Sequence, residues 1–184
     1  MSKPRIATAW LDGCSGCHMS LLDIDEAILD LVAAVDLVCS PIMDIKEFPE
    51  HVDVALVEGA VSSSDDLHKI QTIRARTKVL VALGDCAVTG NVPSMRNPYK
   101  VERLMERAYD ENATYPPRTP GSASRRPTVD VPTLLPRARP IHELVKVDVF
   151  VPGCPPPAEA ILFVVSELLA GRMPNPSQLT RFGM

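Results

Sequence analysis

What the 184-residue chain lacks narrows it first. It has no run of roughly 18 consecutive apolar residues, so no segment is long enough to span a membrane as a helix. The early run Ile6–Leu11 is too short for a signal-peptide core, and no twin-arginine pair precedes it. The expected location is therefore the cytoplasm. Positive charge is not in excess: 19 Lys and Arg stand against 23 Asp and Glu, a net of -4, which speaks against general nucleic-acid binding. Five cysteines are too few for a disulfide-stapled scaffold, and a chain of this length does not need one. In a reducing compartment, free cysteines more often bind metal or do redox chemistry than pair. Aromatics are scarce, one Trp, three Tyr and four Phe, yet 46% of residues are hydrophobic, enough for a buried core.

Five short apolar runs are present, at about 5–11, 36–40, 53–57, 78–83 and 147–151. They are continuous rather than alternating, as parallel strands covered on both faces require. Between the first two, Leu21, Ile24, Ile28, Leu31 and Val35 form one helical stripe with Asp23, Asp25, Glu26 and Asp30 opposite. Further helices are predicted at about 64–76, 99–111 and 156–170, the last with proline in its first turn and Gly171 just past its end. This alternation predicts an α/β chain: a flavodoxin-like doubly wound parallel sheet of about five strands in the order 2-1-3-4-5, as a single domain over 1–184.

Residues 112–140 break the pattern. They hold six prolines before Pro140, no helical stripe and no long strand. Arg118, Arg125, Arg126, Arg137 and Arg139 face only Asp130, a net of +4, whereas residues 18–60 carry a net of -9. The expectation is an irregular insertion before the last strand, lying against a partner or forming a surface loop. Residues 172–184 read as a C-terminal tail.

The cysteines carry the chemistry. Cys14 and Cys17 follow the first strand in Asp12-Gly-Cys-Ser-Gly-Cys17, Cys86 follows the fourth in Leu83-Gly-Asp-Cys86, and Cys154 follows the fifth in Val151-Pro-Gly-Cys-Pro155. Each lies beyond the carboxyl end of a parallel strand, where open α/β sheets build ligand crevices. Glycine beside each site permits the tight turns that a bulky inorganic group needs. Cys39 sits inside a strand and is assigned to the core. Four thiolates suit a [4Fe–4S] cluster, one per iron, with a Cys-Pro at the last ligand. They also suit a zinc ion, although zinc usually takes paired knuckles, or a redox dithiol at Cys14 and Cys17 alone.

Together, Cys14-Ser-Gly-Cys17, Val57-Glu-Gly59, Gly84-Asp-Cys86 and Pro152-Gly-Cys-Pro155 resemble the small subunit of [NiFe] hydrogenases over residues 5 to about 170. The resemblance implies a proximal [4Fe–4S] cluster held by Cys14, Cys17, Cys86 and Cys154, with the hydrogen-splitting nickel–iron centre in a separate large subunit and no catalytic residue here. The pattern CSGCHMSLLD and the single ligand set are similar to cytoplasmic, NAD-reducing (bidirectional) members, whose diaphorase subunits carry flavin, NAD and further clusters. A complex I-like subunit or an energy-converting membrane hydrogenase is the alternative within the family; outside it stands a zinc-stabilised binding module. FMN is expected in a partner rather than here, because the cysteine loop occupies the position where flavin would sit and offers no phosphate-cradling run. Glu58 ends the third strand beside the crevice, placed either to carry protons or to cap a turn or helix. His18 is placed either to hydrogen-bond a cluster sulfur or partner, or to face solvent at a helix start. His51, His68 and His142 have no ligand spacing and read as surface.

Overall fold

Ala55, Leu56 and Val57 are all buried in succession. Side chains alternate across a strand, so such a run is stable only where both faces of the sheet are covered. The computed structural model, which describes residues 3–111, 114, 116, 119, 121–123 and 125–183, meets that demand with a five-stranded parallel sheet between two helical layers. In chain order the elements are β1 (Arg5–Trp10), α1 (Gly16–Leu22), α2 (Ala27–Ala34), β2 (Asp36–Cys39), β3 (Val52–Glu58), β4 (Val61–Ser63), α3 (Ser64–Arg76) and β5 (Thr77–Leu83). Then come α4 (Gly84–Thr89), α5 (Asn91–Ser94), α6 (Val101–Met105) with a π-helical turn over Glu106–Asp110, β6 (Leu134–Arg139), β7 (Val149–Val151) and α7 (Ala158–Leu169).

The sheet order is β2-β1-β3-β5-β7, every pair parallel. With the two short strands set aside, this is the predicted doubly wound order. Ala7, Ala9, Ala55, Val57, Leu80 and Ala82 point to one face and join Ile70 and Ile73 of α3. Ile6, Val54, Leu56, Val81 and Leu83 point to the other and join Ile161, Val164 and Val165 of α7. Helix α3 starts where sequence chemistry dictates: the Ser63 hydroxyl accepts from the Asp66 amide and the Asp66 carboxylate accepts from the Ser63 amide, a reciprocal cap.

Three sequence expectations are corrected. The single stripe from Leu21 to Val35 is two helices, interrupted at Asp23–Glu26, with Asp25 at a φ of 53°. Asp23 and Asp25, whose short carboxylates compete for local backbone groups, favour a turn over helix continuation. Helix α2 buries none of its residues, and Leu29 is 66% exposed. The helix expected at 99–111 is a short α-helix ending in a π-turn. The insertion is not strandless: β6 pairs antiparallel with β4, and Pro136 is tolerated because β6 is an edge strand with a free side. Asn97 supports it like a strand residue, donating to the Ala138 carbonyl and accepting from the Ala138 amide, both at 2.8 Å. Arg96 bridges the Ser62 and Leu135 carbonyls at 3.0 Å each.

The insertion's arginines divide by use. Arg126 is drawn back onto its own chain, bonding Glu102 at 2.7 Å and Asp110 at 2.9 Å, and Arg125 donates to the Pro116 carbonyl. Arg137 and Arg139 are exposed. Arg118 lies outside the described residues.

The last strand is held by one carboxylate. Asp148 accepts from the Leu80 amide at 2.9 Å and from Arg74 of α3 at 2.6 Å, while its own amide donates to the Leu80 carbonyl. Burial pushes this carboxyl up, but the Leu80 amide, Arg74 and Lys146 outweigh it and hold the group below its ordinary 3.8. Asp148→Asn is expected to cost about 1.5–3 kcal/mol at neutral pH, read by urea unfolding. Because the folded value is depressed, the wild-type advantage is present above pH 3.8 and is lost as pH falls through the lower folded value, so the two proteins converge in acid.

Candidate metal centre

The site begins with backbone packed on backbone. Leu11 donates to the Glu58 carbonyl at 2.9 Å, and Asp12 and Ala60 exchange both amide bonds at 2.7 and 3.0 Å. This lays the loop after β1 directly over the β3–β4 turn. Gly59 has a φ of 88°, and a Cβ there would stand 2.8 Å from the Leu11 carbonyl carbon. Only glycine fits. Ser15, in the left-handed region at φ 63°, then turns the chain into α1, whose first turn carries Cys17.

Cys86 lies in the first turn of α4, entered through Gly84 at a φ of 81°. A Cβ on Gly84 would sit 2.2 Å from the Cys17 sulfur, so the sulfur of the first loop rests on the bare backbone of the second. The third loop is joined to the second by a two-way bond. Asp85 donates its amide to the Gly153 carbonyl at 2.8 Å, and its carboxylate accepts from the Gly153 amide at 2.7 Å. Ser20 of α1 adds a link, donating to the Pro156 carbonyl at 2.6 Å, and the Cys154–Pro155 peptide is cis.

The four predicted cysteines are thus brought to one edge. Cys14 and Cys154 are exposed, Cys17 and Cys86 half-buried, and all are free thiols. The Cys17 thiol is pushed above its usual range by burial, then by Glu58 and by the charges of Cys86 and Cys14. The Cys86 thiol is pushed up to about 11 by burial and by Cys154 and Cys14, against a lowering bond from the Val92 backbone. Each sulfur therefore lies in the field of others, and Asn91 donates to the Cys154 sulfur at 3.4 Å. Among the described residues no three His, Cys, Asp or Glu side chains are arranged to hold a single metal ion. The fifth cysteine, Cys39, ends β2 and packs half-buried against the core, as expected.

Glu58 and His18 are both buried, at 2% and 4% exposure, which removes the solvent-facing alternative for His18. Glu58 Oε2 accepts from the His18 amide at 2.9 Å and so caps the first turn of α1 from a neighbouring strand. The His18 ring nitrogen Nδ1 stands 3.2 Å from the same oxygen but is not aligned for a hydrogen bond, so the amide contact is the one that orders the pair. Among the described residues, Glu58 Oε1 and His18 Nε2 have no hydrogen-bond partner. Trp10 packs edge-on against His18, with ring centres 5.4 Å apart. His51, His68 and His142 are exposed. Sequence reasoning missed Asp85 and Asn91. Asp85's only signal was polarity directly after the apolar run of β5, and Asn91 had none.

A family model for the NADH ubiquinone oxidoreductase 20 Kd subunit matches residues 14–168. The chain is 39% identical over 181 residues to the NAD-reducing hydrogenase HoxS subunit delta of Cupriavidus necator, covering 98% of this chain and 86% of that protein. It is 37% identical over 172 residues to a subunit of the F420-non-reducing hydrogenase vhu of Methanocaldococcus jannaschii, covering 93% of this chain and 58% of that longer protein. A solved structure of an NAD+-reducing [NiFe]-hydrogenase in the H2-reduced state contains a chain that superposes with a TM-score of 0.90 at 41% identity, covering 98% of this chain and 99% of that one.

Gly84→Ala is expected to cost more than the roughly 1–2 kcal/mol of a left-handed alanine, because the methyl also displaces the Cys17 sulfur. Thermal unfolding and iron content of the reconstituted chain should both fall.

Proposed function

The chain belongs to the family of the NADH ubiquinone oxidoreductase 20 Kd subunit, and we propose that it is the small, electron-relaying subunit of an NAD-reducing [NiFe] hydrogenase. The observation that carries this reading is the convergence of Cys14, Cys17, Cys86 and Cys154 from three strand ends onto one edge. Four sulfurs gathered at one edge supply a soft ligand set, and bare glycine backbone gives a bulky inorganic group room. A structural zinc usually takes its sulfurs from two close-spaced cysteine pairs, and here only Cys14 and Cys17 form such a pair. A [4Fe–4S] cluster takes one thiolate at each of four separate irons, which suits cysteines delivered singly from distant strand ends. When bound, it would supply reversible one-electron transfer.

The chain's own residues do the holding. Cys17 and Cys86 anchor the group on its half-buried side, and Cys14 and Cys154 close the exposed side. The Asp85–Gly153 pair sets the spacing of the second and third loops, and Glu58 fixes the turn that carries Cys17. Hydrogen splitting belongs to the nickel–iron site of the large subunit, and flavin and NAD to the diaphorase subunits, so this chain needs no general acid or base for its relay. The compartment that fits an enzyme drawing on NAD is the cytoplasm. No helix among the described residues is long and apolar enough to cross a membrane.

The deciding experiment is anaerobic purification with partners, assay of iron, sulfide and zinc, and hydrogen-dependent NAD reduction. The reading requires about four irons per chain, and stoichiometric zinc without iron would end it. Cys39→Ser should keep the cluster, whereas Cys154→Ser should lose or alter it.

Glu58 also lies where a carboxylate could carry protons from the partner's metal site, with no hydrogen-bond partner for Oε1 among the described residues. Glu58→Gln should slow hydrogen turnover while the cluster's spectroscopic signal persists. Unchanged turnover would remove Glu58 from the proton route.

A further inference from the structure

Asp85 is a buried acid, 6% exposed, in a chain segment that is otherwise apolar or glycine. Both of its carboxylate oxygens are engaged, and both partners are glycine amides far away in sequence. Oδ1 accepts from Gly153, the residue before Cys154, at 2.7 Å. Oδ2 accepts from Gly183, near the C-terminus, at 2.8 Å. The C-terminal tail is thereby docked at the cysteine edge. Thr180, buried, donates its hydroxyl to the Pro152 carbonyl and lies against Gly153, where an added Cβ would stand 2.9 Å from the hydroxyl oxygen.

We propose that Asp85, latched by the C-terminal segment, is the positioning residue that sets the reduction potential of the group held by the cysteines. The inference rests on the reading that the four cysteines hold an iron–sulfur cluster. Three features carry it. The carboxylate adjoins the Cys86 ligand in sequence and bonds the residue adjoining the Cys154 ligand, so it borders two of the four sulfurs through backbone alone. It is shielded from water, so its charge is weakly screened there. Its charge is partly compensated by two amide dipoles, one of them supplied by the tail. A neighbouring negative charge favours the more oxidised, less negative state of a cluster, and net charge and hydrogen bonding are among the levers that set such potentials. The tail thereby becomes part of the redox site without contributing a ligand.

The test compares Asp85→Asn and Gly183→Pro in the purified hydrogenase complex, by redox titration of the cluster's electron paramagnetic resonance signal. Asp85→Asn removes the charge and should shift the midpoint potential upward at full iron content. Gly183→Pro removes one compensating amide without altering charge and should shift it downward. Amide deuterium exchange in the metal-free chain gives a second readout: Gly183 should lose protection in Asp85→Asn. Opposite shifts uphold the proposal. Unchanged potential at full iron content, or shifts of the same sign, overturns it and leaves Asp85 a structural clamp only. If Asp85→Asn fails to retain iron, Gly183→Pro decides alone, a lowered potential upholding the assignment and an unchanged one ending it. Failure of the cluster reading itself would show earlier, as wild-type protein without iron and sulfide.

Discussion

The structure turns on the approach of three loops to distances that only bare backbone allows. The Cys17 sulfur occupies the space where Gly84 would carry a side chain, and Gly153 and Asp85 bond each other in both directions. Everything else can be read as making that approach possible. Parallel strands bring their carboxyl ends to one edge, two apolar layers hold the strands in register, and left-handed glycines end β3 and β5 so abruptly that the next turns overlap. Because β1, β3, β5 and β7 are successive neighbours, the three cysteine loops are also close side by side on that edge.

Much of this was legible because the relevant signals are local. Continuous apolar runs mark strands buried on both faces, and five of them alternating with helical stripes leave few topologies. That Cys14, Cys17, Cys86 and Cys154 lie past the carboxyl ends of three strands of one sheet was legible for the same reason, since each falls a few residues after an apolar run. What escaped depends on partners distant in sequence. β6 has no β-like pattern of its own and contains Pro136; it is a strand because Arg96, Asn97 and β4 supply its bonds. The break at Asp23–Glu26 is a contest between a sound apolar stripe and acidic residues that prefer turns, and periodicity alone cannot weigh the two. His18 looks like a helix-start surface residue until Trp10 and Glu58 are placed over it.

Buried polarity sorts along the same line. Away from the cysteine edge, Arg74 pairs with Asp148, and Arg126 with Glu102 and Asp110. Among the described residues, buried side-chain atoms without a hydrogen-bond partner occur singly at Arg5, Thr77 and Arg96, whereas beside Cys17 three fall together, Glu58 Oε1 and both His18 ring nitrogens. Unpaired buried polar atoms cost roughly 1–3 kcal/mol each. Their concentration beside Cys17 is thus the mark of a site shaped for something other than stability.

The exposure of the four sulfurs points the same way. Cys17 and Cys86 are half-buried behind the sheet edge while Cys14 and Cys154 face outward. A protein storing a metal for structural ends would enclose it, because solvent access invites exchange and oxidation. A relay has the opposite need, since an electron must pass to a neighbouring protein and the rate falls as intervening matter thickens. The open side is therefore the one suited to handing an electron to a neighbouring protein. Behind that side, the Gly84, Asp85 and Gly153 contacts hold the three loops together through this chain's own backbone and one carboxylate.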